Sequence, residues 1–302
     1  MIVTFSGPFP AEHREKPARR RLFRVKGGDE AESTSVRTLT DEELSEYDRA
    51  MALLQDFGRG DQLIIAAEAN FDEFAESAVT AHNAAISDGK PRPDTFALAL
   101  TMNRRLSNYL ATRRLYLNFT GARLKRRYGR SSRELAAFEE ITESLAATQF
   151  AYRFTEYLRD YSQHCGFPIG HFSSGEHATE PAKTVELAFD LRELVANGSR
   201  RQDAIRIEIG AMDPLQPIVP VLDAAQDHLR IIRDHVLEVE RPRLETAVDW
   251  LSHALFDAGQ PDTPLRVGRW LDQSGRLAIE YDDLPLWEIR QLAVKATDGL
   301  SG

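Results

Sequence analysis

The chain has 302 residues, is 42% hydrophobic and 28% charged, and carries a net charge of -9; a chain of this length buries roughly three quarters of the surface it exposes when unfolded. No run of about 18 apolar residues occurs, and the opening MIVTFSGPFPAEHREKPARRR lacks the order of a secretory signal, so neither a membrane span nor export is expected. One cysteine, Cys165, excludes an intramolecular disulfide framework and a four-cysteine zinc site, and the expectation is a reducing, cytoplasmic setting.

In chain order, MIVTFSG and RRLFRVKGG read as short strands bounded by Gly and Pro, followed by a loose polar segment, GGDEAESTS. Thr40 and Glu43 form a capping box that opens a helix expected to end near Gly58. Gln62 to Ala69 is an apolar run of ambiguous type, and Asn70 with Glu73 offers a second cap for a helix through Ile86. Lys90-Pro91-Arg92-Pro93 reads as a linker, after which Asp94 caps a long helix whose stripe is Leu106, Leu110, Leu117, Leu124 and Tyr128, ending at Gly129.

The following helix, Ser132 to His164, changes phase: Phe138, Ile141 and Leu145 share one face, and Phe150, Phe154, Tyr157 and Tyr161 another. A kink, a π-type irregularity or burial on two sides near Ala146 to Gln149 is therefore expected. VELAFDL reads as a strand and a short helix follows Ser199. Leu222, Ala225, Leu229, Ile232, Val236, Leu244, Ala247, Leu251 and Ala254 mark a third, bent bundle helix with Pro242 on its outer side. RVGRWLD and RLAIEYD form a hairpin, and Pro285 opens a terminal helix. The fold class is thus mainly α, of the α+β type. A small α+β region over residues 1–90 precedes a helical bundle over 91–260, and a β-hairpin with a helix occupies 261–302.

Charge is unevenly placed. Thr95 to Arg133 contains no Asp or Glu and ten cations, Arg104, Arg105, Arg113, Arg114, Arg123, Lys125, Arg126, Arg127, Arg130 and Arg133, so the rest of the chain carries -19 against -9 for the whole. Such asymmetry suits attraction of a polyanion, with Arg123, Lys125, Arg126 and Arg127 as the nucleic-acid-binding set. The competing reading is a solvated surface that pairs with acids of the same molecule. The stripe and the charges fall mostly on opposite sides, which puts the charges toward solvent.

Phosphate loops, dinucleotide-binding glycines, the zincin His-Glu-x-x-His and the hydrolase Gly-x-Ser-x-Gly are all missing from the sequence. His164, Cys165, His171 and His177 lie close together, but their spacing matches no zinc-ligand pair, and neither metal nor cofactor is expected. His228 and His235, seven apart, read as solvent-facing.

The remaining constellation is LRDYSQHCG, Leu158 to Gly166. Arg159, the polar Asp160 and His164 at the end of a bundle helix resemble the HEPN superfamily, whose Arg and His four to six residues apart form a metal-independent RNase site. The resemblance implies a helical bundle, an RNA endonuclease of a defence or toxin system, and a homodimer, with Arg159, Asp160 and His164 as site residues. A histidine titrating near neutrality suits proton transfer at the 2′-hydroxyl, and an arginine fork suits the phosphate. Arg159 and His164 stand about 140° apart on an ideal helix, so either the last turn unwinds or two chains contribute. Arg230 to His235 repeats the spacing in the long helix. The alternative function is a non-catalytic helical scaffold or nucleic-acid-binding module.

Overall fold

The computed structural model describes residues 2–5, 20–26, 32–86, 94–176, 183–198, 203–255, 266–273 and 276–282. The linker at 90–93, the start of the terminal helix at Pro285 and His177 lie outside them. The described residues are mainly helical, with a minor share of antiparallel strand. The chain divides into two units, residues 1–59 with 240–302, and residues 60–239. Both divisions, at 59/60 and 239/240, fall inside long helices.

The first of these is α1, Asp41–Ile86, one continuous 46-residue helix where two shorter ones were expected. The capping box forms as read: the Glu43 backbone N–H donates to Thr40 Oγ1 at 3.1 Å and the Thr40 N–H donates to Glu43 Oε2 at 2.9 Å. Gly58 and Gly60 do not end the helix. Each costs about 1 kcal/mol of helix propensity, but both are buried, and a Cβ on Gly60 would already lie 3.8 Å from the Phe119 ring. Packing offsets propensity here.

In the unit of residues 1–59 and 240–302, strands β1 (Ile2–Phe5), β2 (Arg21–Lys26), β3 (Glu32–Thr38), β7 (Arg266–Gln273) and β8 (Arg276–Tyr281) form an antiparallel sheet of order β1-β8-β7-β2-β3. The expected hairpin is β7–β8, paired through Gln273 and Arg276. β3 corrects the reading of GGDEAESTS as loose throughout. Its Ser and Thr residues pair with β2 from Glu32 onward, and a ladder of backbone hydrogen bonds needs no apolar alternation to form.

The unit of residues 60–239 holds α2 (Thr95–Tyr128), α3 (Arg133–Thr148), α4 (Phe150–His164), α5 (Leu191–Asn197), α6 (Asp203–Gly210), the first turns of α7 (Ile218–Leu255), and a three-stranded sheet β4 (His171–Glu176), β5 (Lys183–Asp190), β6 (Leu215–Pro217). Asp94 caps α2 by accepting from the Phe96 and Ala97 N–H groups. Two apolar clusters divide the interior. One gathers Phe74, Met102, Leu106, Leu110, Phe154, Tyr157, Leu158 and Phe189, and the other Ile64, Leu117, Leu124, Phe138, Leu145, Leu229 and Ile232. The change of phase after Leu145 now has its cause. α3 buries into the second cluster and α4 mainly into the first, so the helix breaks at Gln149, which is extended at φ -108° and ψ 113°. Arg153 spans the break, donating to Ala146 O at 2.9 Å and pairing with Glu208 of α6.

Asp61, only 4% exposed, receives two hydrogen bonds from Arg233, Nε to Oδ1 at 2.8 Å and Nη2 to Oδ2 at 3.0 Å, which joins α1 to α7. A buried carboxylate held this way is costly to break from one side. Asp61→Ala is expected to lower unfolding free energy by about 3 kcal/mol in denaturant titration, and the double variant Asp61→Leu with Arg233→Met to recover most of it. Equal stability of Asp61→Ala and wild type would show that the pair does not secure α1 to α7.

Candidate functional site

The end of α4 is built from its buried side outward. Phe154, Tyr157, Leu158 and Tyr161 lie between 0% and 3% exposed, and the Tyr157 hydroxyl donates to Leu194 O at 2.5 Å. Burial pushes the Tyr157 phenol up to about 12. Gly198 permits this approach, because a Cβ there would overlap the Tyr157 hydroxyl. The tyrosines around the Arg159–His164 segment therefore pack inward; Tyr152, Tyr157 and Tyr161 offer no ring face to solvent.

After the helix, Gly166 at φ 152° turns the chain and Asn103 of α2 fixes its exit. The Asn103 amide donates to Ile169 O at 3.2 Å and accepts from the Ile169 N–H at 2.9 Å, both within the interior. This two-point clamp does for Ile169 what a neighbouring strand would do, and it sets where residues 165–170 leave α4.

Arg159 and His164 do not meet within one chain. α4 stays helical through His164, with the Cys165 N–H donating to Tyr161 O at 2.8 Å, so the two side chains leave the helix about 140° apart. Unwinding of the last turn, one of the two expected ways to bring them together, is not what the structure has. Arg159 Nη1 donates to Asp160 Oδ1 at 2.8 Å, its side chain is 31% exposed, and its Nε is buried without a partner. His164 and Cys165 are exposed. His171 begins β4, and no group of three or more metal-ligating side chains assembles among the described residues. In the second Arg-to-His spacing, Arg230 is paired with Glu68 at 2.9 Å and Asp227 at 3.0 Å, and His235 is exposed.

The basic segment splits in two. Arg104, Lys125, Arg126, Arg130 and Arg133 are exposed, Arg127 is half-buried, and Arg105 donates to Ser77 and to the Glu73 carbonyl. Arg113 and Arg123, by contrast, are 1% and 2% exposed. The expectation that Arg123 faces solvent is corrected. Arg113 lies three residues after Leu110 and four before Leu117, and Arg123 three after the buried Thr120, so both continue the spacing that buries one stripe of α2.

Sequence reading missed what surrounds Arg113. Its Nη1 donates to Glu156 of α4, and Arg114 Nη1 donates to the other oxygen of that carboxylate at 2.9 Å. The guanidinium carbon lies 4.7 Å from the Tyr152 ring centroid, and the Tyr152 ring lies 6.4 Å from that of His228. His228, expected at the surface, is 8% exposed because it falls three residues after Ala225 and four before Ile232. Burial first, then the Arg113 charge, lowers its pKa below the ordinary 6.5, with Asp227 opposing.

No helix among the described residues is long and apolar enough to cross a membrane. Compared with known proteins, the chain matches no family model, no curated protein and no solved structure.

Two outcomes follow. Asn103→Leu leaves the buried Ile169 N–H and C=O unsatisfied, at about 1 to 3 kcal/mol for each group. Amide exchange at Ile169 is expected to accelerate strongly, and unchanged exchange would rule out the clamp. For His228, the unfolded chain takes up a proton near pH 6.5 while the folded chain resists it, so stability falls as pH drops below 6.5. The stability difference between wild type and His228→Gln is expected to move against wild type between pH 7 and pH 5; a difference independent of pH would remove His228 as its source.

Proposed function

We propose that this chain binds RNA through the turn between α2 and α3. One observation carries the reading: Lys125, Arg126, Arg130 and Arg133 are all exposed within nine residues, folded around Gly129 at φ 94°. Lys125 and Arg126 close one helix and Arg133 opens the next, so the cations stand on rigid supports on either side of a tight turn. Cations so placed release counterions from a phosphate backbone without reading sequence. Arg123, buried, is not part of this surface.

A second reading, a HEPN-like metal-independent endoribonuclease that works as a homodimer, is favoured by a separate observation. His164 is exposed at the very end of α4, and Arg159 leaves the same helix in a different direction. One chain thus presents two half-sites, and a second copy supplies the complement. The reaction would bond the substrate's 2′-oxygen to phosphorus and break the bond to the 5′-oxygen, with His164 moving the proton and Arg159, oriented by Asp160, holding the phosphate oxygens.

RNA affinity is expected to fall with salt at a log-log slope of about -3 if four phosphates of a single strand are neutralised. Changing Lys125, Arg126, Arg130 and Arg133 together to Gln should flatten that slope toward zero; a slope unmoved by the change would overturn the binding reading. Cleavage is tested apart, with labelled RNA in EDTA. The nuclease reading expects cutting that leaves a cyclic phosphate and falls ~10²- to 10⁴-fold in His164→Ala, with RNA affinity kept. Binding without cutting leaves the binding module alone.

A further inference from the structure

The buried cluster around Arg113 has polar atoms without hydrogen-bond partners. Arg113 Nε and Nη2, the Tyr109 hydroxyl and His228 Nδ1 are buried and unpartnered, and the three residues are 1%, 0% and 8% exposed. Tyr109 and Arg113 stand four residues apart on α2 and so share a face; Tyr152 and Glu156 do the same on α4, and His228 comes from α7 against Tyr152. A buried guanidinium with two idle N–H groups is expensive, since each unmet donor carries its full desolvation cost.

The charges point the same way. Arg113 and Arg114 share one counter-charge, Glu156, while the neighbouring Asp227 is already held by Arg230 at 3.0 Å. The group that would complete the cluster is therefore an acceptor that brings negative charge. Two adjacent arginines gripping both oxygens of one carboxylate also present the fork geometry that suits a phosphate. Glu156, 24% exposed, and Arg114, 41% exposed, are the members of the cluster that meet solvent, and Arg113 lies behind them.

We infer that Arg113, Arg114, Tyr109 and His228 form a site for a phosphate group, and that the Glu156 carboxylate occupies the phosphate's place when none is bound. Glu156 acts as an internal competitor. Phosphate binding swings it outward, Arg114 follows the incoming anion at the surface, and Arg113 holds it from within. His228 takes the tautomer that donates from Nδ1 and completes the shell with the Tyr109 hydroxyl. The site stands apart from the exposed turn at Gly129 and does not depend on the RNA-binding reading.

The test is thermal unfolding of the full chain in inorganic phosphate against chloride at matched ionic strength. Phosphate is expected to raise Tm in wild type. Glu156→Gln, which keeps shape and removes the competing charge, should tighten the apparent phosphate affinity by roughly tenfold if the open form is about a tenth of the wild-type population. Arg114→Gln, a change near the surface that folding tolerates more readily than one at Arg113, should weaken it. The source of the phosphate is read by a second arm, a ribo-oligonucleotide with a 5′-phosphate against the same oligonucleotide with a 5′-hydroxyl: a difference between them that Glu156→Gln enlarges assigns the site to RNA ends, and equality with inorganic phosphate still active assigns it to the free anion. If phosphate and chloride give the same Tm in both wild type and Glu156→Gln, or if Glu156→Gln binds phosphate no better than wild type, the proposal fails and the cluster is a structural ion pair.

Discussion

The buried guanidinium of Arg113 is the constraint around which the helices of residues 60–239 are set. A charge 1% exposed must have a counter-charge and a face to lie on, and α4 provides both, Glu156 for the N–H and Tyr152 for the plane. Tyr152 and Glu156 are one helical turn apart, so meeting both demands fixes the rotation of α4 about its axis. That rotation turns Phe154, Tyr157, Leu158 and Tyr161 toward the cluster containing Leu106 and Leu110. The same requirement brings His228 of α7 against Tyr152.

The break at Gln149 follows from that rotation. α3 is committed to the cluster of Leu117, Leu124 and Leu229 by Leu135, Phe138 and Leu145. A continuous helix would carry the phase of α3 into α4 and place the aromatic side chains against the wrong neighbours. One extended residue resets the phase, and Arg153 satisfies the Ala146 carbonyl that the break frees. The end of α4 inherits its direction from this reset, and the Asn103 clamp on Ile169 then fixes the segment that leaves it.

Cations on α2 consequently serve two purposes. Those in register with Leu110, Leu117 and Thr120 are drawn inward, where Arg113 meets Glu156 and the Tyr152 ring; those near Gly129 stay in solvent because the helix ends there. Counting the whole basic run as one electrostatic surface overstates what a polyanion meets. The exposed group at the turn and the buried group near Glu156 are different chemical environments, one wet and screened by salt, the other dry and selective for geometry.

Much of this was legible in the residues themselves. The capping box of Thr40 and Glu43, the Asp94 cap, the end of α2 at Gly129, the β7–β8 hairpin and the outward Pro242 all rest on interactions within a few residues of one another, which sequence displays directly. The change of phase after Leu145 was visible too, though not its form as a break. Other features depended on partners far along the chain. Gly58 and Gly60 stop no helix because neighbours packed around them offset the lost propensity, and β3 forms because β2 is there to pair with. Arg113, Arg123 and His228 sit at core spacings in plain view, yet a polar residue at such a spacing is tolerated only when another helix brings a counter-charge, a ring or a hydrogen-bond partner. Whether Arg159 and His164 converge was likewise decided by tertiary structure, since the buried tyrosines and the clamp after Gly166 keep α4 helical to its last residue. Local hydrogen bonds could be read from order; the fate of each buried charge was settled by the opposing helix.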